Sequence, residues 1–215
     1  MRETAIVHLI DGDEAALGSL GHYLEAHGLD VRRYARAERF LAAHDDAGPL
    51  ACVVSDVRLD GLGGLELQHE LGRRGSPIPV ILTTGNGDIE TAVGAIKMGA
   101  WDYLQKPVAE HRLLASIRAA LADVARRRAE ESRLSGLRRR HRELSERQQQ
   151  VMALAVAGRT NKEIGLELGI SPRTVEIYRA KVMERMGAAT LAELVRIAVR
   201  LDDGLARAPA GGADM

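Results

Sequence analysis

The chain has 215 residues, of which 46% are hydrophobic, so it is long enough to form one large domain or two smaller ones, each with its own core. A single cysteine excludes a disulfide framework, no apolar run approaches the roughly 20 residues of a membrane span, and the N-terminus lacks the basic and apolar regions of a signal peptide. We therefore expect a cytoplasmic protein without membrane contact.

The formal net charge of zero hides an asymmetry between the two halves. Residues 1–125 carry 12 Lys and Arg against 18 Asp and Glu, a net charge of −6, whereas residues 126–215 carry 18 against 12, a net charge of +6. An acidic half joined to a basic half predicts two domains, the second of which meets a polyanion. Chance drift of surface charge is the alternative.

Apolar runs and helical patterns alternate along the first half. Strands are predicted at 4–10, 31–34, 50–55, 79–84 and 101–105, and helices at 13–27, 38–44, 64–73, 88–98 and from 108 onward. This alternation predicts an α/β fold with a doubly wound, five-stranded parallel sheet.

Four polar residues fall where predicted strands end: Asp11, Asp56, Thr84 and Lys106. A lone Asp is ordinarily a turn or capping residue, but the carboxyl ends of parallel strands share one edge, where ligands bind. The co-location therefore favours a phosphate or metal site. Carboxylates can hold Mg²⁺ there, Asp56 can act as nucleophile toward a phosphoryl donor, and Lys106 can neutralise the transferring oxygens. No G-x-G-x-x-G or G-x-x-x-x-G-K-[ST] motif supports nucleotide binding instead.

These residues resemble those of a two-component receiver domain over residues 1–125. The matching segments are Val-Val-Ser-Asp56, Leu-Thr-Thr84-Gly and Tyr103-Leu-Gln-Lys106-Pro107. The resemblance implies a flavodoxin-like strand order, Asp56 as the phosphoacceptor and Lys106 as the phosphate-sensing cation. It also implies that Thr84 and Tyr103 form a switch pair, and that the peptide bond before Pro107 is cis.

One departure from that family concerns the metal. The family has two adjacent acidic residues after the first strand, whereas this chain reads Asp11-Gly12-Asp13. Mg²⁺ would then be held by Asp11, Asp56 and the backbone carbonyl of Arg58, with Asp13 as a further candidate. We expect weak Mg²⁺ binding. Two hypotheses follow: a regulator switched by phosphorylation, or an atypical one whose receiver works without phosphorylation, as a dimerisation or partner-binding module.

The segment 126–143 carries eight arginines and three acidic residues. It is predicted to be a solvated helical linker that is interrupted near Ser135-Gly136, with contact to DNA phosphates as the alternative. The apolar residues of the helices at 88–98 and 108–122 are expected to offer a surface on which two copies pair. A flexible tail is expected at 204–215.

Helix-capping patterns organise the second half. They are Ser145-x-x-Gln148, Thr160-x-x-Glu163, Thr190-x-x-Glu193 and Ser171-Pro172. They predict four helices, at about 146–157, 161–168, 172–186 and 191–201. The middle two are joined by Gly169-Ile170-Ser171, the short turn of a helix-turn-helix. A small protein-interaction module is the alternative, which the basic charge of this half disfavours.

The third of these helices places Val175, Tyr178, Val182 and Met186 on one face, which is expected to lie in the core. Leu-Ser-Glu-Arg, Thr160-Asn-Lys-Glu-Ile and Ile170-Ser-Pro-Arg-Thr-Val resemble a LuxR-type helix-turn-helix domain. The resemblance implies that residues 173–181 enter the major groove of DNA. The residues expected at DNA are Asn161, Lys162, Arg173, Thr174, Glu176, Ile177, Arg179 and Lys181.

From end to end the chain resembles a NarL/FixJ-type response regulator, with a receiver at 1–125, a linker at 126–143 and a DNA-binding domain at 144–203. The expected function is transcriptional regulation through double-stranded DNA, switched by phosphorylation of Asp56 and by homodimerisation. A sensor histidine kinase and RNA polymerase are the other expected partners. A hydrolase built on the carboxylates is disfavoured, since no histidine base or second acid pair follows the strands, and we do not expect an enzyme.

Overall fold

The structure is a computed structural model that describes residues 5–87 and 89–206, with backbone only for 203–206. The predicted strand start at residue 4, the predicted helix start at Asp88 and residues 207–215 of the predicted tail lie outside the described residues. The chain divides into two compact units, 1–128 and 129–215. Within the described residues, no helix combines the length and the apolar character that crossing a membrane requires.

The first unit is built on a parallel sheet of five strands in the order β2-β1-β3-β4-β5, which confirms the predicted fold and strand order. The strands are β1 (Ile6–Ile10), β2 (Asp30–Tyr34), β3 (Ala51–Asp56), β4 (Val80–Thr84) and β5 (Asp102–Gln105). The helices are α1 (Glu14–Ala26), α2 (Ala37–Ala43), α3 (Gly64–Arg73), α4 (Ile89–Lys97) and the first part of α5 (Glu110–Arg142).

The two faces of the sheet are covered by separate clusters of buried side chains, because successive residues of a strand point to opposite faces. Val7 and Ile81 belong to the cluster that includes Ile117 of α5, whereas Val53 and Leu82 belong to the one that includes Leu67 of α3. The continuous apolar runs of the central strands are therefore buried on both faces, as expected of a parallel sheet.

The second unit contains the later part of α5 and four further helices, as the capping patterns predict. They are α6 (Glu146–Val156), α7 (Asn161–Leu168), α8 (Pro172–Met186) and α9 (Leu191–Ala206). Reciprocal capping boxes form at Ser145 and at Thr160. At α9 the box is altered: Thr190 accepts from the backbone N–H of Glu193, but the Glu193 carboxylate accepts from Ala189.

Helix α5 is continuous from Glu110 to Arg142, so the predicted interruption near Ser135-Gly136 is wrong. Leu134 and Leu137 pack against the cluster of Leu144 and Met152 in the second unit. These contacts stabilise the helix on both sides of Gly136. They also explain why the segment is helical although glycine is a poor helix former.

Candidate functional site

The carboxyl edge of the sheet brings together the charged residues that the sequence places after β1, β3 and β5. The Lys106 Nζ donates to Asp11 Oδ2 at 2.7 Å and to Asp56 Oδ2 at 2.5 Å. Strands β1 and β3 are neighbours, which sets the two aspartates side by side. One ammonium group therefore bridges two carboxylates.

The bridge is largely shielded from solvent. The exposed fractions of the side chains are 26% for Lys106, 6% for Asp11 and 14% for Asp56. Burial by itself lowers the pKa of Lys106, but its hydrogen bonds to Asp11 and Asp56 outweigh burial and raise that pKa above its usual value. Lys106 is a fixed positive charge at this edge.

Backbone N–H groups fix the other carboxylate oxygens. Asp13 donates to Asp11 Oδ1 at 3.0 Å, and Arg58 donates to Asp56 Oδ1 at 3.1 Å. The carboxylate of Asp13 caps α1, where it accepts from the backbone N–H of Ala15 at 2.9 Å. Asp13, a further metal candidate in the sequence, is therefore engaged in a helix cap.

The oxygens present here fit a weak magnesium site. Asp11, Asp56 and the carbonyl of Arg58 are hard oxygen donors, and Mg²⁺ in proteins often has only one or two carboxylate ligands. Gly12 adds no carboxylate. Among residues 5–87 and 89–206, no group of three or more His, Cys, Asp or Glu side chains is placed to hold a metal ion.

Thr84 and Tyr103, the expected switch pair, lie on neighbouring strands. The Thr84 hydroxyl accepts from the backbone N–H of Asn86 and donates to its carbonyl, both at 3.2 Å. Tyr103 packs on the cluster of Leu82 and Ala95, and its buried hydroxyl has no partner among the described residues. The peptide bond between Lys106 and Pro107 is cis, as the resemblance implied.

The side chain of Arg58 also lies at this edge, although the sequence suggested only its backbone as functional. Its Nη2 is 3.6 Å from the position that a Cβ would occupy at Gly85, the residue after Thr84. No sequence motif marks this placement, because a loop arginine usually points into solvent.

In the second unit, α7 and α8 form a helix-turn-helix whose close packing depends on Gly165. A Cβ at Gly165 would lie 2.7 Å from the carbonyl oxygen of Ile170, in the turn between the helices. Sequence reasoning missed this glycine. The available signal was a glycine inside a helix, which usually has a packing reason.

The residues expected at DNA fall into three groups. Ile177, Lys162 and Lys181 are exposed. Arg173 pairs with Glu176 at 3.0 Å, and Thr174 contributes to the cap at Ser171. Asn161 and Arg179 are brought together, with the guanidinium Nη1 donating to the amide oxygen at 2.8 Å.

The opposite face of α8 was predicted to lie in the core. Its residues Val175, Val182 and Met186 are buried, and Tyr178 is partly buried.

Comparison with protein families identifies both units. The family described as "Response regulator receiver domain" matches residues 7–118, and that described as "Bacterial regulatory proteins, luxR family" matches residues 142–198. The chain belongs to the DNA-binding two-component response regulators of the FixJ/LuxR type.

Similar proteins agree with this assignment of the response regulator. The transcriptional regulatory protein FixJ of Azorhizobium caulinodans is 46% identical over 202 residues, which cover 93% of this chain and 94% of the relative. The response regulator protein TodT of Pseudomonas putida is 38% identical, with 94% of this chain and 88% of the relative covered.

Solved structures resemble the response regulator over most of its length. The response regulator StyR matches with a TM-score of 0.81 and 33% identity, covering 92% of this chain and 99% of StyR. Full-length FixJ from B. japonicum matches with a TM-score of 0.57 and 41% identity, covering 92% and 97%. The names of these relatives describe transcriptional regulators and response regulators.

Proposed function

We propose that this response regulator is switched by phosphorylation of Asp56. The observation that supports the proposal is the Lys106 ammonium shared between Asp11 and Asp56. An oxygen of Asp56 forms a bond to the phosphorus of a donor, and the bond between that phosphorus and the donor's leaving atom breaks. Lys106 neutralises the transferring oxygens.

A sensor histidine kinase is the proposed natural donor, since a receiver implies such a partner. Asp11, Asp56 and the Arg58 carbonyl would hold Mg²⁺, which when bound adds positive charge beside the phosphoryl group. Phosphorylation removes the negative charge of the Asp56 carboxylate, but the new phosphoryl group is dianionic. Lys106 therefore keeps an anionic partner at the same edge throughout the transfer.

The proposed switch runs through Thr84 and Tyr103. The phosphoryl group competes with Asn86 for the Thr84 hydroxyl, which donates to the phosphoryl oxygen instead of the backbone carbonyl. Tyr103 belongs to the cluster that includes Ala95 of α4, and no hydrogen bond to a residue that the structure describes holds its buried hydroxyl in place. Movement of Thr84 therefore repositions Tyr103 and α4.

We further propose that activation favours a homodimer through α4. Ile89, Val93 and Ile96 are exposed by 84%, 47% and 48% of their surfaces, and Met98 by 56%. The helix at 108–122, expected to share this role, instead buries Leu113 and Ile117 in the core. The apolar face of α4 is the surface that a second copy would cover.

The DNA-binding unit is proposed to read DNA through α8. Lys162 and Lys181 contact phosphates, together with Arg179, which Asn161 orients; Glu176 accepts from a cytosine amino group. Two units bound about one helical turn apart gain affinity from dimerisation. Binding weakens steeply with salt, because phosphate contacts release counterions. RNA polymerase is the proposed partner on DNA, since the relatives are transcriptional regulators.

The direct test is incubation with acetyl phosphate and Mg²⁺, followed by intact mass measurement. We expect the wild type to gain the mass of one phosphoryl group and Asp56→Asn to gain none. Light scattering of the same samples tests dimerisation. A wild type that gains no mass at any Mg²⁺ concentration would refute the proposal.

A second candidate function is regulation without phosphorylation, with the receiver acting as a dimerisation or partner-binding module. Gly12 favours it, because one carboxylate near the metal is missing. Under this alternative the wild type dimerises and binds DNA with the same affinity as Asp56→Asn, whether or not acetyl phosphate is present. The same samples therefore separate the two candidates.

A further inference from the structure

The guanidinium of Arg58 lies near Gly85, on the loop that follows β4 at the carboxyl edge of the sheet. Its backbone N–H donates to Asp56 Oδ1 at 3.1 Å, which places the residue directly beside the acceptor. Its Nη2 approaches Gly85, on the loop that follows Thr84. Asp56 and Thr84 are at the ends of neighbouring strands, so the Arg58 side chain runs from the loop beside Asp56 to the loop after Thr84.

This guanidinium is available for a ligand. Arg58 is exposed and forms no ion pair with any acidic side chain that the structure describes. The loop that carries it is held in place, since the carboxylate of Glu38 on α2 accepts from the backbone N–H of Leu62 at 3.0 Å. This bond and the one from the Arg58 backbone N–H to Asp56 hold the loop backbone beside the acceptor.

The formal charges explain what such a cation would do. Asp11, Asp56 and Lys106 together carry a charge of −1, and Arg58 brings the site to zero. Gly12 adds no negative charge. A carboxylate at that position would make the site more negative and therefore more dependent on a metal ion. A guanidinium suits a phosphoryl group, because its planar N–H groups can donate to two oxygens at once.

We infer that Arg58 binds the phosphoryl oxygens on Asp56 and supplies part of the positive charge that Mg²⁺ would otherwise supply. The inference rests on the proposed role of Asp56 as acceptor. It follows that phosphoryl transfer at this site depends only weakly on Mg²⁺, and that the missing carboxylate at Gly12 and the guanidinium of Arg58 compensate for each other.

Removal of the guanidinium then has two opposite effects. Arg58 repels Mg²⁺ by like charge, so Arg58→Gln binds Mg²⁺ about two- to fivefold more tightly, the range expected of a partly solvated charge. Arg58 attracts the phosphoryl group, so the same variant needs a higher Mg²⁺ concentration, by a similar factor, to reach half-maximal phosphorylation. A merely structural role would not move these two quantities in opposite directions.

The experiment uses the full chain as wild type, Arg58→Gln, Arg58→Lys and the control Arg118→Gln, an exposed arginine of α5. Calorimetric titration with Mg²⁺ alone gives the metal affinity. Intact mass after acetyl phosphate treatment, from chelator to excess Mg²⁺, gives the metal dependence of phosphorylation. We expect Arg58→Lys to lie between wild type and Arg58→Gln, and Arg118→Gln to match wild type.

The outcomes separate the two proposals. If the wild type is phosphorylated but Arg58→Gln shows the same Mg²⁺ dependence, the role of Arg58 is wrong and the role of Asp56 stands. If Arg58→Gln binds Mg²⁺ more weakly and also needs more Mg²⁺ for half-maximal phosphorylation, the change is structural and the inference is also wrong. The same holds if it binds Mg²⁺ more tightly and needs less. A wild type that is never phosphorylated would overturn both.

Discussion

At the scale of single residues, metal binding at the site is limited by the small number of acidic groups around Lys106. Its ammonium satisfies both Asp11 and Asp56, and Asp13 is occupied in capping α1. A metal ion must therefore share its carboxylate ligands with a lysine. Gly12 is the position where one substitution changes that competition most directly.

Replacing Gly12 by Asp is expected to raise Mg²⁺ affinity about tenfold, since a third carboxylate adds attraction in a partly shielded site. The side chain fits, because a Cβ at Gly12 meets no atom within 4 Å. Calorimetry is the suitable measurement. Trp101 is a poor fluorescent reporter, because its backbone N–H binds Val80 at the opposite end of the sheet. Gly12→Asn controls for size, and equal affinities in all three proteins would show that another ligand has replaced the missing carboxylate.

His8 of β1 makes the stability of the receiver depend on pH. Burial, with the nearby charges of His44 and Arg32, lowers its pKa from 6.5 to about 4. Between these two pH values the unfolded chain binds a proton at His8 more readily than the folded chain does. The contribution of neutral His8 to the free energy of unfolding is therefore complete above pH 6.5. It is lost as pH falls toward 4, to a total on the order of 3 kcal/mol.

Urea unfolding at neutral pH and near pH 4 tests this dependence in the wild type and in His8→Leu. Nδ1 of His8 lies 3.2 Å from the Tyr34 hydroxyl, so the variant loses some stability at every pH. Between neutral pH and pH 4, however, the free energy of unfolding should fall less in His8→Leu than in the wild type. The exposed His22→Gln controls for loss of a histidine. An unchanged pH dependence in His8→Leu would contradict the assignment.

At the scale of elements, the strands and their ends were predictable, whereas the sequence did not decide which apolar helix faces are exposed. Asp56 and Lys106 end apolar runs, and in a parallel sheet that pattern fixes their edge. Apolar faces were expected to be free for a second copy at both 88–98 and 108–122. The face of α4 is exposed at Ile89, Val93 and Ile96, whereas α5 buries Leu113 and Ile117 in the core. A helical period shows which residues share a face, but not which face another element covers.

The same limit applies to Arg58, Gly165 and the continuity of α5. Each depends on a tertiary contact that local patterns do not contain: Arg58 approaches Gly85, Gly165 packs against the turn at Ile170, and Leu134 and Leu137 pack on the helices of their own unit. The helix ends of the second unit were predictable for the opposite reason, because capping boxes such as the one at Thr160 act within four residues.

The helix-turn-helix should tolerate no side chain at Gly165. Gly165→Ala places a Cβ 2.7 Å from the Ile170 carbonyl, and we expect it to destabilise the second unit by about 1–3 kcal/mol, the usual cost of overpacking. Gly136→Ala is the matched control, since a Cβ there meets nothing within 4 Å and should stabilise α5 by about 0.5–1 kcal/mol. Urea unfolding of fragment 129–215 gives both values. Similar changes in both variants would contradict the packing argument.

At the scale of the whole molecule, the boundary between the units lies inside α5. Residues 129–142 belong with the DNA-binding helices, whereas the sequence assigned 126–143 to a linker. Arg128, at the end of the first unit, donates to the carbonyls of Gly48 and Asp46 at 2.8 and 3.3 Å, and so ties α5 to the receiver. Each unit therefore holds its own part of one helix.

A DNA-binding fragment that begins at residue 129 should be more stable than one that begins at 144. The longer fragment keeps Leu134 and Leu137 on the cluster of Leu144, and partial burial of two leucines contributes about 2 kcal/mol. Urea unfolding of both fragments measures the difference. Replacing both leucines by Ala in 129–215 should reproduce the loss. Equal stabilities would mean that residues 129–142 are a linker only.

The central claim is that a phosphoryl group on Asp56 controls DNA binding by the whole chain. It is tested most directly by the DNA affinity of the full-length protein, with and without acetyl phosphate and Mg²⁺, on duplexes selected with fragment 129–215. We expect acetyl phosphate to raise the affinity of the wild type and to leave Asp56→Asn unchanged. Equal affinity of the wild type under both conditions, with Asp56 shown by mass to be phosphorylated, would contradict the account.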